Sequence, residues 1–219
     1  MDVQPGSVIL FSGTSWQSYV IKFATYSPFY RLTAETPTHV GVVCRIGPMD
    51  LEEKRDRRWR MSLDRVCSWE PGLYIVEATT LEKTPCLVQG RSVHGVQVHG
   101  IKDRVASYPG RSWVMNPTRL LSSEETYRLT QFLLDKVGFD YDKPGALAAG
   151  TQLLKHLPPL SLLVADRTQE FCVEIVGEAL RKCGYLAKLD FNPGAIAPRP
   201  LVELLYNSGL YSEPKEVER

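Results

Sequence analysis

The sequence lacks an excess of charge of either sign. Its 219 residues include 26 Lys and Arg against 25 Asp and Glu, a formal net charge of +1 at pH 7. A global electrostatic attraction to nucleic acid or to an anionic membrane is therefore excluded as the basis of function. The order of strand-like and helix-like segments matches no nucleic-acid-binding module either. We expect no nucleic-acid partner.

Long apolar segments are also missing. No run approaches the roughly 20 apolar residues that span a bilayer. The opening Met-Asp-Val-Gln-Pro-Gly has no basic region followed by an apolar stretch. We therefore expect a protein made in the cytoplasm without a signal peptide and without stable membrane insertion. Action in the periplasm or in a target cell would require lysis or a dedicated secretion system.

Cysteines are few, and their spacing forms no close pairs. The five are Cys44, Cys67, Cys86, Cys172 and Cys183. An odd, scattered set fits neither a fully paired disulfide framework nor a zinc site. No His, Cys or carboxylate pair has zinc-like spacing, and no phosphate-binding loop of the P-loop or dinucleotide type is present. We expect a reduced protein that works without a metal or another cofactor.

Short runs of β-forming residues fill most of the first half of the chain, and helical periodicity fills the second half. Strands are predicted at 4–11, 38–46, 73–79, 86–89, 93–101 and 112–115. Helices are predicted at 16–26, at 122–137 after the capping-box pair Ser122 and Glu125, at 144–157, and around Cys172. Strands followed by helices indicate an α+β fold with a small, mostly antiparallel sheet packed against helices.

Two segments are predicted to lie outside the regular core of one domain spanning 1–211. Residues 47–72 contain a mixed charge run that cannot be buried, so we expect a solvated loop inserted between strands. A substrate-binding or nucleic-acid-binding arm is the alternative for this loop. Residues 212–219 are predicted to form a mobile tail.

Cys172 is the cysteine best placed for nucleophilic chemistry. It lies near the start of a predicted helix whose N-cap is Asp166 or Thr168. A neutral thiol is a poor nucleophile, and a helix N-terminus and a nearby histidine both favour the thiolate. The alternative is a structural role, because Cys172 shares an apolar helical stripe with Ile175 and Val176.

A histidine and an acid on two predicted strands can complete a thiol site. His39 stands near the start of its strand, and Glu77 alternates with apolar residues, so its carboxylate faces inward and needs a partner. A histidine on the neighbouring strand is such a partner. Both residues also have ordinary interpretations, a structural histidine and a solvated acid at a strand edge. Other histidines remain candidates for the base: His94, His99 and His156.

The joint arrangement resembles the permuted papain-like enzymes related to NlpC-type cell-wall hydrolases. The similar segments are residues 38–43, 76–78, 141–142 and 171–174, together with the opening 5–11 and the predicted helix at 15–28. In that family the strand histidine precedes the cysteine, because the usual papain-like chain order is circularly permuted. The resemblance covers most of residues 4–185. It is interrupted by residues 31–37, which separate Ser-Pro-Phe from Thr-His.

This resemblance implies a permuted papain-like fold in which Cys172 is the nucleophile, His39 the general base and Glu77 the residue that orients the imidazole. The chemistry agrees, since a carboxylate can fix the histidine tautomer and stabilise the imidazolium. The backbone N–H of Cys172 is a candidate oxyanion donor. Tyr141 resembles a family tyrosine near the cleft and is a candidate for substrate or oxyanion contact, with a packing role as its alternative.

The implied activity is that of a cysteine peptidase or amidase that cleaves an amide bond through an acyl-enzyme. The implied substrates are peptides such as the stem peptides of peptidoglycan. An effector of this kind would have an immunity or inhibitor protein as a partner. Two other functions stay open: a lipid-acting thiol acyltransferase, and a non-catalytic binding module on the same fold.

Overall fold

The fold is α+β and is built around one antiparallel sheet. A computed structural model describes residues 1–14, 18, 35–55, 66, 68–79, 84–139, 168–193 and 196–218. Its strands are β1 Val8–Ser12, β2 His39–Ile46, β3 Gly72–Thr79, β4 Gly95–Gly100, β5 Arg111–Met115 and β6 Lys215–Glu216. They lie in the order β4-β3-β2-β1-β5-β6. The helices within these ranges are α1 Pro48–Arg55, α2 Ile101–Ser107, α3 Ser123–Lys136, α4 Thr168–Lys182 and α5 Pro198–Asn207.

Alternation along the central strands gives the sheet two apolar faces. Val40 and Val42 of β2 belong to the larger core, which also contains the buried stripes of α3, α4 and α5. The next residue, Val43, belongs to a smaller core that contains apolar side chains of α2. Because strand side chains alternate between faces, His39 lies on the same face as Val43, the face covered by α2.

Helix α3 forms as its sequence predicts. The Ser122 hydroxyl accepts a hydrogen bond from the Glu125 N–H at 3.2 Å, and the Glu125 carboxylate accepts one from the Ser122 N–H at 2.8 Å. The N–H groups of Ser122 and Glu125 at the helix start are thereby satisfied. Gly138 follows the helix with a φ of +79°, the left-handed conformation that favours glycine.

The first part of the segment predicted as a solvated loop at 47–72 is helical, and residues 56–65 and 67 lie outside the described residues. This first part forms α1, in which Leu51 is fully buried and Lys54 is 9% exposed. The Lys54 ammonium donates to Asp135 of α3 at 2.7 Å. Lys54 is compatible with burial here because its ammonium pairs with Asp135, while Leu51 joins the larger core and Glu52 stays exposed.

Within the segment predicted to be a mobile tail, 212–219, two residues pair with the sheet. β6 pairs with β5, and the two carboxylate oxygens of Glu216 accept hydrogen bonds from Arg111. Val217 is 9% exposed and joins the smaller core. Side-chain contacts to residues about a hundred positions earlier hold this segment, and such contacts leave no local sequence signal.

Smaller differences concern strand limits. Residues 86–89 form turns instead of the predicted strand, and the strand predicted at 93–101 is shorter, since Ile101 begins α2. The predicted helix at 144–157 lies outside the described residues, and so does the one at 16–26 apart from Ser18. Among the described helices, none has the length and apolar character needed to cross a bilayer.

Candidate active site

His39 and Glu77 come together because β2 and β3 are adjacent. Gly41 of β2 is paired with Glu77 of β3, so His39, two residues before Gly41 on the same face, is the diagonal neighbour of Glu77. The His39 Nε2 lies 2.5 Å from the Glu77 Oε2. A Cβ at position 41 would lie 3.2 Å from the Glu77 Cβ and 2.7 Å from the Ile75 Cδ1. Glycine at position 41 therefore leaves room for the Ile75 and Glu77 side chains.

Arg104 is a second partner of Glu77. It lies on α2, which begins directly after β4, the strand paired with β3 on the side away from β2. Its Nε donates to the Glu77 Oε1, and its Nη2 donates to Oε2 at 3.1 Å. The Glu77 side chain is fully buried and that of Arg104 is 6% exposed. A buried carboxylate thus has a buried cation as its counter-charge.

Sequence reasoning missed Arg104. The residue was not expected on a helix, because the preceding strand was predicted to continue through Ile101. The available signal was the spacing of Ile101 and Val105, which are four residues apart and both buried in the smaller core. Arg104 precedes Val105 and so falls beside that apolar face.

Cys172 is the fifth residue of α4, in the buried stripe that was predicted for this helix. The described part of the helix starts at Thr168, and Asp166, the other predicted cap, lies outside the described residues. The thiol interacts with the His39 imidazole through a side-chain hydrogen bond and Coulomb attraction. The contact is made at the end of the sheet, since His39 is the first residue of β2. Cys172, His39 and Glu77 therefore form one connected group.

The electrostatics of this group favour a charged imidazole. Burial lowers the pKa of His39, but attraction and hydrogen bonding to Cys172, and then to Glu77, outweigh it and raise the pKa from 6.5 to about 9. Burial likewise raises the pKa of Glu77, and Arg104, followed by His39, reverses this and holds it well below 4.5. Glu77 is thus a carboxylate, and His39 an imidazolium, at neutral pH.

The surroundings of the site are aromatic and closed. The Phe11 ring stacks on the His39 ring with centroids 5.6 Å apart, and the Arg104 guanidinium lies 4.8 Å from the Phe11 centroid. Tyr108 packs on Phe11 at 4.6 Å. The Cys172 residue is fully buried, whereas the His39 side chain is 13% exposed. The open side of the site is therefore at the imidazole.

The other histidines have different environments. His99 is fully buried on β4, and its Nε2 lies 3.9 Å from the Glu77 Oε1, so it belongs to the surroundings of the acid. His94 is exposed, and His156 lies outside the described residues. Tyr141, the candidate for substrate or oxyanion contact, also lies outside them. His39 has contacts to both Cys172 and Glu77.

The remaining described cysteines are free and buried at Cys44, Cys86 and Cys183. Burial, followed by the Asp50 charge, raises the pKa of Cys44 far above its usual range. Burial also raises the pKa of Cys183. The raised pKa values of Cys44 and Cys183 disfavour their thiolate forms at neutral pH. Within the described ranges no three His, Cys, Asp or Glu side chains form a group that could hold a metal ion.

Comparisons with known proteins add little to the geometry. No family model matches the chain, and no curated protein does. Among solved structures the chain is similar to the crystal structure of metalloprotein yiiX from Escherichia coli O157:H7. That match has a sequence identity of 16% and a TM-score of 0.46, and it covers 100% of this chain and 98% of that chain. At this TM-score the match supports no inference about function.

Proposed function

We propose that the protein is a cysteine hydrolase that cleaves an amide bond through an acyl-enzyme on Cys172. The observation that carries the proposal is the position of His39, whose imidazole interacts with the Cys172 thiol and with the buried Glu77 carboxylate. A base hydrogen-bonded to a nucleophile and to an orienting acid is the arrangement that activates a thiol.

The reaction follows from the charges of the three side chains. The Cys172 sulfur attacks the carbonyl carbon as a thiolate, and the His39 imidazolium gives its proton to the leaving amine. The neutral imidazole then takes a proton from a water molecule, which attacks the thioester and releases the acid. Glu77 keeps the imidazole in one orientation during both steps and stabilises its charged form. The Cys172 N–H is the proposed donor to the oxyanion.

The proposed fold family is that of permuted papain-like enzymes related to NlpC-type peptidases. A histidine on an early strand, an acid on the strand beside it and a cysteine near the start of a later helix are in the order that the resemblance implies. The proposed substrates are the stem peptides of peptidoglycan. Such a substrate would require delivery to the periplasm or to a target cell. An effector delivered in this way would have an immunity or inhibitor protein as a partner in the producing cell.

Loss of activity in a cysteine variant tests the proposal. We expect the wild-type protein to release peptide products from purified peptidoglycan or its stem peptides, and Cys172→Ala to lower the rate by about 1,000-fold or more. Cys183→Ala is the matched control, because Cys183 directly follows the same helix and lies in the same core. Products and the acylated thiol are identified by mass spectrometry.

Lipid esters offered in parallel separate the hydrolase from an acyltransferase. Transfer of an acyl group from the lipid to an added amine, with no cleavage of stem peptides, would replace the proposed activity by acyl transfer. Absence of both products and of any acylated Cys172 would contradict catalysis altogether.

The pH dependence of hydrolysis has an expected alkaline limit. Because the pKa of His39 is raised to about 9, the imidazolium that protonates the leaving amine is present at neutral pH and is lost as the pH rises through about 9. We expect the rate constant for acylation to fall above that pH. The contribution of the protonated His39 to the stability of the fold should be complete below pH 6.5 and decline between pH 6.5 and about 9. An acylation rate that falls already between pH 6 and 7 would contradict this assignment.

A further inference from the structure

We propose that Arg104 is a positioning residue of the site, which fixes the Glu77 carboxylate and through it the orientation of His39. This inference rests on the proposed function. Arg104 donates two hydrogen bonds to the Glu77 carboxylate, so its proposed action on His39 is exerted through Glu77.

The hydrogen-bond geometry supports this role. The Glu77 carboxylate must present Oε2 to the His39 Nε2, and a carboxylate with this single bond can rotate about its terminal torsion. Arg104 donates from Nε to Oε1 and from Nη2 to Oε2, so two bonds define the plane of the carboxylate. A guanidinium makes such paired bonds with a rigid fork, which lysine lacks.

Packing fixes the guanidinium in turn. It lies 4.8 Å from the centroid of Phe11 and 5.1 Å from that of Tyr108. The same Phe11 ring stacks on His39. One aromatic side chain therefore contacts both the imidazole and the cation on the far side of the acid, which limits the movement of each relative to the other.

Charge supports the same assignment. Titratable groups around His39 come from several elements: Glu77 on β3, Cys172 on α4, Arg104 on α2, His99 on β4 and Tyr108 after α2. With a thiolate at Cys172, the chain Cys172, His39, Glu77 and Arg104 alternates in sign and has no net charge. Removal of Arg104 would leave two negative groups around one imidazolium in a buried site, where Coulomb interactions are strong.

Two substitutions separate the effect of the positive charge of Arg104 from the effect of its paired hydrogen bonds to Glu77. Arg104→Met removes both, and we expect His39 to lose its proton at a higher pH, because a neighbouring positive charge is gone. Alkylation of Cys172 by iodoacetamide at pH 7 should slow by up to about 100-fold, because the imidazole is no longer held in place. Arg104→Lys keeps the charge, so His39 should titrate as in the wild type while alkylation still slows.

His39 is followed by NMR of the histidine ring nuclei, with its signal assigned from the His39→Gln variant, and folding is checked by thermal unfolding. The control is Arg111→Met, which removes an exposed guanidinium that also bonds carboxylates, those of Glu35 and Glu216. We expect Arg111→Met to change neither the His39 titration nor the alkylation rate.

The proposal is overturned if Cys172 is alkylated at the wild-type rate in folded Arg104→Met. If the methionine variant does not fold, Arg104→Lys takes its place in this comparison. A shifted His39 titration in a protein that cleaves no amide would retain Arg104 as a positioning residue and refute only the hydrolase.

Discussion

Glu77→Gln is expected to lower the free energy of unfolding by about 3–5 kcal/mol, a large share of the stability of an ordinary domain. The carboxylate is fully buried and is bonded to both Arg104 and His39. Glutamine keeps the size of the side chain but leaves the buried guanidinium without a counter-charge. Uncompensated buried charge is what makes the loss of one partner so costly. Urea denaturation of the two proteins measures the difference.

Glu124→Gln is the matched control for this prediction. Glu124 forms an exposed pair with Arg128 on α3, and such a pair contributes less than about 0.5 kcal/mol. The double variant Glu77→Gln with Arg104→Met should recover part of the lost stability, because both charges are then absent. If Glu77→Gln costs no more than Glu124→Gln, the buried ion pair does not exist in solution.

Acid stability provides a second readout of the same pair. The folded-state pKa of Glu77 is depressed below its ordinary 4.5, mainly because Arg104 opposes the effect of burial. The resulting stabilisation is present above pH 4.5 and is lost as the pH falls below that value. Glu77→Gln should lack this dependence, so its stability should decline less steeply in acid than that of the wild type.

Local signals in the sequence were sufficient for part of the fold. The capping box at Ser122, the alternation of β2 and the helical stripe after Cys172 each depend on residues a few positions apart, and all three are present in the structure. The inward face of Glu77 followed from the same alternation, and a buried carboxylate needs a partner. These features made His39 and Glu77 predictable as neighbours.

Features that depend on distant residues were not predictable. β6 has two residues and forms because Trp113 and Val114 of β5 offer a partner edge, reinforced by Arg111. Helix α1 depends on a surface of α3 that buries Leu51 and pairs Lys54. Arg104 joins the site because α2 turns back over the strands that precede it. A single sequence holds no local pattern for such contacts.

His39→Ala is expected to lower the rate of amide hydrolysis by about 1,000- to 10,000-fold, as loss of the base does in related catalytic triads. In the proposed mechanism the imidazole both favours the thiolate and supplies the proton for the leaving amine. His94→Ala is the matched control, because His94 is exposed and outside the site. Equal activity of the two variants would assign the base to another residue.

Selective alkylation of Cys172 is the most direct test of the thiol-imidazole pair. The wild-type protein is treated with iodoacetamide across a pH series, and each modified cysteine is located by mass spectrometry. A small reagent is needed because the thiol is fully buried. We expect Cys172 to react near pH 7 well ahead of Cys44 and Cys183, and to react about tenfold or more slowly in His39→Ala. Equal labelling of the cysteines, or labelling of Cys172 only after denaturation, would contradict the account.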